Sequence, residues 1–217
     1  MKYGLVIFDL DGTLLNTLED LADACNGALR AAGFPERSLD EVRRFVGNGV
    51  ARLIQRAVPE GTDDDTVEGV LQSFKSIYTA NVNVKTRPYP GIPELLHRLK
   101  TEGVRIAVNS NKIDAATQAL CRAHFDGLVD LALGETIGIP KKPSPEGAEH
   151  IMRTLDAAPD KTLYVGDGDA DILTAQNAHI DGAWVSWGFR KPEELQGLDI
   201  KHRFDTAPAL EHFILPR

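Results

Sequence analysis

From residue 92 to residue 185, short apolar runs alternate with helical segments, and that alternation limits the chain to few architectures. A helix is predicted over 93–102, opened by Pro93 and stopped by Gly103, and the apolar run Val104-Arg105-Ile106-Ala107-Val108 follows at once. The same grammar predicts a helix over 113–124, a strand around 128–133 and a helix over 145–155. A strand at 162–165, a helix over 170–178 and a last core strand at 183–185 come next, with weaker elements after them. Strands separated by helices at this spacing pair in parallel, with helices on both faces of one sheet. The expectation is an α/β chain with a Rossmann-like parallel sheet, whose ligands bind at the heads of the strands.

The apolar run Gly4-Leu5-Val6-Ile7 reads as the first strand of that sheet. Four helices and no good strand follow it, from residue 17 to about 82. Thr17 is the expected N-cap of the first helix, with Glu19 and Asp20 in its first turn and Gly33 at its end. Ser38-Leu39-Asp40-Glu41 has the form of a capping box that opens the second helix. Val50, Leu53, Ile54, Ala57 and Val58 form the apolar stripe of the third, and Asp63 to Asp65 open the fourth. Arg87-Pro88-Tyr89-Pro90-Gly91 marks the return. The predicted division is a catalytic core of residues 1–15 and 85–217, with an all-helical insertion at 16–84.

The 217 residues suffice for a core plus an inserted module, and 42% apolar with 26% charged residues is ordinary for a globular chain. A net charge of −8 without long basic clusters argues against nucleic acid, and no apolar run approaches membrane length. Cys25 and Cys121 read as reduced thiols, and the expected setting is cytoplasmic, for a monomer or homodimer.

Charge at the strand ends carries the chemistry. Phe8-Asp9-Leu10-Asp11-Gly12-Thr13 leaves two carboxylates at the mouth of a buried strand, on the same side by alternation. Acids in such a place need a metal ion, hydrogen-bond donors or a task. The second strand ends in Asn109-Ser110-Asn111-Lys112, where Ser110 is either an ordinary N-cap or part of a phosphate-binding helix start. Lys141-Lys142-Pro143-Ser144-Pro145 reads as a stiff loop with a lysine pair. Gly166-Asp167-Gly168-Asp169-Ala170-Asp171 begins like a calcium loop, but Ile172 and Ala178 stand where that loop needs Gly and Glu.

Together these four strings resemble the signatures of the haloacid dehalogenase-like hydrolases, in the expected order and over nearly the whole chain. The resemblance implies that Asp9 is a nucleophile that forms an aspartyl-phosphate and that Asp11 is the general acid/base. It implies that Lys142 neutralises the nucleophile and the phosphate, and that Ser110 and the Asn111 amide bind phosphoryl oxygens. Mg²⁺ is implied too, held by Asp9, the Asp11 carbonyl and Asp167 with Asp171 in support, an all-oxygen set suited to that ion. Gly168 stands where the family usually has Ser.

Three further strings, Arg44-Phe45-Val46-Gly47-Asn48-Gly49, Arg87-Pro88-Tyr89-Pro90-Gly91 and Trp187-Gly188-Phe189, look like the phosphoglycolate phosphatase group. In that reading the helical insertion is a cap over the site, a small phosphorylated metabolite is the partner, and Asn48 or Arg52 meets a substrate carboxylate. A phosphomutase or pyrophosphatase of the same family shares the core motifs. A 2-haloacid dehalogenase does not need the acids at Asp11 and Asp167. A non-catalytic phospho-receiver uses similar groups in another order and lacks a cap.

Overall fold

Leu5, Val6, Ile7 and Phe8 have no exposed surface, and they form β1 (Leu5–Phe8) at the centre of a six-stranded parallel sheet. The computed structural model describes residues 2–216. After β1 come a two-residue strand β2 (Leu15–Asn16) and four helices: α1 (Leu18–Ala31), α2 (Leu39–Phe45), α3 (Val50–Ala57) and α4 (Asp64–Ala80). The chain returns through β3 (Arg87–Pro88) to α5 (Ile92–Thr101), β4 (Arg105–Ile113), α6 (Asp114–Phe125), β5 (Leu131–Glu135) and α7 (Glu146–Thr154). It ends with β6 (Thr162–Gly166), α8 (Asp169–Asn177), β7 (Asp181–Val185), β8 (His202–Phe204) and α9 (Ala207–Ile214).

The strand order is β5-β4-β1-β6-β7-β8, so the chain builds outward from β1 in both directions. Every pairing in this sheet is parallel. Alternation along β1 divides the core. Val6 and Phe8 pack with Leu96 and Leu99 of α5, Leu120 of α6 and Leu210 of α9. Leu5 and Ile7 pack on the opposite face with Ala148 and Ile151 of α7 and Ala175 of α8. Coverage of both faces is why β1 is apolar throughout and not alternately polar.

Helices α1 to α4 enclose a second core of Leu21, Cys25, Leu29, Val42, Ile54, Phe74 and Tyr78, joined from the sheet side by Ala116 and Phe189. The Ser38 capping box forms as read: Ser38 Oγ accepts from the Glu41 amide, and Glu41 Oε2 accepts from the Ser38 amide at 2.8 Å. Both crossings into this module are paired, because β2 and β3 form an antiparallel ribbon with Leu15 opposite Pro88 and Asn16 opposite Arg87. Buried Asp20 then accepts from the amides of Val84, Lys85 and Thr86 and from Thr86 Oγ1, tying α1 to the returning chain.

Two local expectations are corrected. Thr17 stands at the N-cap position of α1, but its side chain caps nothing; its hydroxyl donates to Asp11 Oδ1 at 2.6 Å. Ser110 does not open a helix: β4 runs from Arg105 to Ile113, so Ser110 stands on the strand and α6 begins at Asp114. The register explains this. From Asn109↔Leu133 to Ile113↔Glu135, β4 advances four residues while β5 advances two. The extra residues bulge out of the ladder between those points, and a bulge re-aims the side chains it carries.

Candidate active site

The ends of β1, β4 and β6 and the loop after β5 meet where the strand order reverses around β1, the place at which open α/β sheets form ligand crevices. A cavity of about 50 Å³ lies there, between those strand ends and the loop that joins α2 to α3. Asp9, Asp11, Ser110, Lys112, Lys142, Asp167 and Asp171 all line it.

Lys142 sits between two carboxylates. Its ammonium is 2.8 Å from Asp9 Oδ1 and 2.7 Å from Asp171 Oδ1, with only 3% of the side chain exposed. Asp9 Oδ1 also accepts from the Leu10 amide at 2.7 Å, and Asp171 Oδ2 from the Gly168 amide at 3.0 Å. Asp167 Oδ2 accepts from the Phe189 amide at 2.6 Å, and Oδ1 from Thr13 Oγ1 at 3.3 Å. One carboxylate oxygen from each of Asp9, Asp167 and Asp171 lies within 4.8 Å of the others.

This cluster holds three buried acids and one ammonium. Burial pushes the Asp9 carboxyl well above its ordinary range; Lys142 opposes that shift, while Asp171 and Asp167 add to it. Burial and the neighbouring Asp171 push Asp167 up to about 7. For Lys142 burial acts the other way, but Asp171 and Asp9 outweigh it and the ammonium is held above its usual range. Two like charges at 4 Å repel by about 4 kcal/mol at an effective dielectric near 20. The unbalanced negative charge and the all-oxygen donor set fit a hard divalent cation.

Asp11 has different partners. Lys112 Nζ lies 2.9 and 3.0 Å from its two oxygens, and Thr17 Oγ1 donates to Oδ1. Lys112 is itself buried, with its ammonium 4.6 Å from the ring centroid of Tyr78 on α4.

Glycines make room for this arrangement. A Cβ on Gly12, whose φ is +85°, would fall 2.5 Å from Asp167 Oδ2. One on Gly188 would fall 2.3 Å from both Asp167 Cβ and the Gly12 carbonyl. The flanking tryptophans fix the same turn: Trp184 Nε1 donates to the Asp167 carbonyl and Trp187 Nε1 to that of Thr13.

The family model for haloacid dehalogenase-like hydrolases matches residues 6–185. The chain belongs to that family. A phosphoglycolate phosphatase of Aquifex aeolicus is 35% identical over 189 residues, 86% of each chain. Another, from Psychrobacter arcticus, is 32% identical and spans 99% of this chain and 97% of its own. A crystal structure from Lactobacillus delbrueckii subsp. bulgaricus superposes with a TM-score of 0.94 at 36% identity, covering all of both chains. With these relatives, this haloacid dehalogenase-like hydrolase is a phosphoric monoester hydrolase. No helix among its described residues is long and apolar enough to cross a membrane.

Several residues singled out in the sequence stand elsewhere in the hydrolase than the spacing suggested. Ser110 lies on β4 and not at a helix start; its Oγ accepts from the Lys112 amide at 3.3 Å. The Asn111 side chain spans two loops, with Oδ1 accepting from the Lys142 amide and Nδ2 donating to the carbonyls of Lys142 and Gly47. Arg52 is exposed and donates to Gln55, and Asn48 accepts from Arg56 at 3.1 Å. Neither lines the cavity. Arg52 points away because it falls about 200° around α3 from Val50, on the side opposite the buried stripe. The module's contribution to the wall is Leu21, Val46, Val50, Leu53 and the backbone at Gly47 and Gly49.

Sequence reasoning missed Lys112 and Arg190. Lys112 lies on β4 within the stretch where the register shifts, so regular alternation from Ser110 does not set its aim. Arg190 also lines the cavity, and its guanidinium donates to the carbonyls of Arg43 and Val46.

Proposed function

We propose that this enzyme is a Mg²⁺-dependent phosphatase that hydrolyses a small phosphate monoester of the phosphoglycolate kind through an aspartyl-phosphate on Asp9. One observation carries the reading. The two acids at the end of β1 face one cavity but are held apart by different cations, Asp9 by Lys142 and Asp11 by Lys112. Equivalent carboxylates in different environments suit different tasks.

In the first step an Asp9 oxygen attacks phosphorus in line; the new P–O bond forms as the bond to the leaving alkoxide breaks. Asp11, which carries a proton into this step, gives it to that alkoxide. In the second step water attacks the phosphorus of the aspartyl-phosphate, Asp11 takes the proton, and the Asp9–phosphorus bond breaks to release inorganic phosphate. Ser110 Oγ, the Asn111 amide and Lys142 meet phosphoryl oxygens, where negative charge is greatest. Asp9, the Asp11 carbonyl and Asp167, with Asp171 in support, would hold Mg²⁺, which would neutralise the acids and polarise the phosphoryl group.

The cavity has room for a few waters, so the ester enters with helices α1 to α4 displaced and reacts after they close. Closure excludes bulk water from the intermediate. The curated relatives named above support phosphoglycolate as the ester.

The test is phosphate release from 2-phosphoglycolate, sugar phosphates and pyrophosphate, with and without Mg²⁺. Turnover fastest on phosphoglycolate and abolished by chelation is the expected result. No release from any ester, or equal rates in EDTA, overturns the reading.

A further inference from the structure

Lys112 has no part in the two steps above, yet it is the most completely enclosed cation bound to an acid of the site, with 1% of its side chain exposed. A buried ammonium is costly unless paired. This one is paired on two sides: with both oxygens of Asp11, and with the face of Tyr78 at 4.6 Å. Tyr78 is fully buried on α4 and stacks on Phe74 with ring centroids 5.5 Å apart. The bulge in β4 explains how a residue beyond Ser110 comes to turn inward here.

The rest of what holds the Asp11 side chain is Thr17, whose residue leads into α1. Both of its holds therefore run to the inserted module, one through the start of α1 and one through Lys112 to the ring on α4. Three ammonium hydrogens are available to Lys112, and its contact with both Asp11 oxygens limits how that carboxylate can turn and not only its distance.

We infer that Lys112 is a positioning residue, which orients the Asp11 carboxylate and makes that orientation depend on the Tyr78 ring of α4. The inference rests on the reading of Asp11 as the acid/base. An ester with a poor leaving group needs the proton from Asp11, whereas an aryl ester with a good one largely does not.

The experiment compares single-turnover release of alcohol from ethyl phosphate and of p-nitrophenolate from p-nitrophenyl phosphate, on the same samples of the full-length Mg²⁺ enzyme. Comparing two esters on one sample cancels any difference in folded fraction. Lys112→Met is expected to lose about 100-fold on ethyl phosphate, the lower end of what acid catalysis contributes, and at least tenfold less on the aryl ester. Lys112→Arg should recover part of the loss. Tyr78→Leu should show the same split in weaker form, and Tyr78→Phe, which keeps the ring, should not.

Equal losses on both esters in Lys112→Met overturn the inference, as does identical behaviour of Tyr78→Leu and Tyr78→Phe. If Lys112→Met does not accumulate as folded protein, the two Tyr78 variants decide alone. Asp11→Asn separates the two readings. A split there without one in Lys112→Met removes only the positioning role, whereas no split in Asp11→Asn removes Asp11 as the acid.

Discussion

Arg43 of the helical module and Arg190 of the core exchange hydrogen bonds across their interface. The Arg43 guanidinium donates to the Phe189 carbonyl and pairs with Glu194 at 2.8 Å, while the Arg190 guanidinium donates to the carbonyls of Arg43 and Val46. Each arginine thus holds backbone next to the other. The loop from Val46 to Val50, which walls the cavity, is fastened by this exchange and by Asn111 Nδ2 on the Gly47 carbonyl.

Arg43 does not line the cavity, so its loss should act through closure alone. Hydrogen bonds to charged groups contribute about 1.5–3 kcal/mol each. Arg43→Met should lower kcat/KM about tenfold and speed hydrogen exchange at the amides of 46–50. Unchanged exchange with unchanged kinetics would contradict the closure role.

Asp9→Asn should abolish turnover and leave the fold intact. It also removes a buried acid that burial and two neighbouring carboxylates strain towards protonation. In EDTA near neutral pH the variant should therefore unfold at a temperature no lower than the wild type. Near-normal turnover would remove Asp9 as nucleophile.

Asp167 gives the metal-free protein a signed pH dependence. Its folded pKa of about 7 lies above the ordinary carboxyl value near 3.9, so between them the folded state holds a proton that the unfolded chain has released. Its contribution to stability is fully present below about 4 and is lost as pH rises through 7. Thermal unfolding in EDTA should show Asp167→Asn gaining on the wild type from about pH 4 to 7. Mg²⁺ should raise the wild type and narrow that gap. A gap independent of pH would show that Asp167 is not strained in this way.

Asp20 makes a prediction about stability and not chemistry. Its carboxylate accepts three backbone amides and the Thr86 hydroxyl. Asp20→Ala strands those donors and should cost about 3 kcal/mol, whereas Asp20→Asn keeps an acceptor and should cost about 1. Urea unfolding at equilibrium measures both. Equal costs would mean that the acceptor geometry is not what holds the returning chain.

Legibility followed periodicity. The parallel sheet and the four inserted helices were visible because buried strands and amphipathic helices repeat over many residues, and the Ser38 box because its two bonds are local. The acids at 9, 11, 167 and 171 stood out because charge at a buried strand end is anomalous. The bulge at β4 was not visible, since two extra residues leave no mark on a short apolar run, and with it went the aim of Lys112. The stripe of α3 did carry the answer for Arg52, because its spacing already set that side chain opposite the buried face. The Arg43 and Arg190 exchange joins residues 147 apart through backbone carbonyls, which any sequence supplies equally.

Pairing of β2 with β3 sets the chain's exit from the sheet domain beside its re-entry, two residues against two. A segment attached at adjoining points behaves as a cassette: its length and helix count can change without moving β1 relative to β4, because the doorway is closed by its own ladder. Replacement of 17–86 by another helical segment should thus leave Asp9, Asp167 and Asp171 in register, and change what stands over them and what holds the Asp11 side chain.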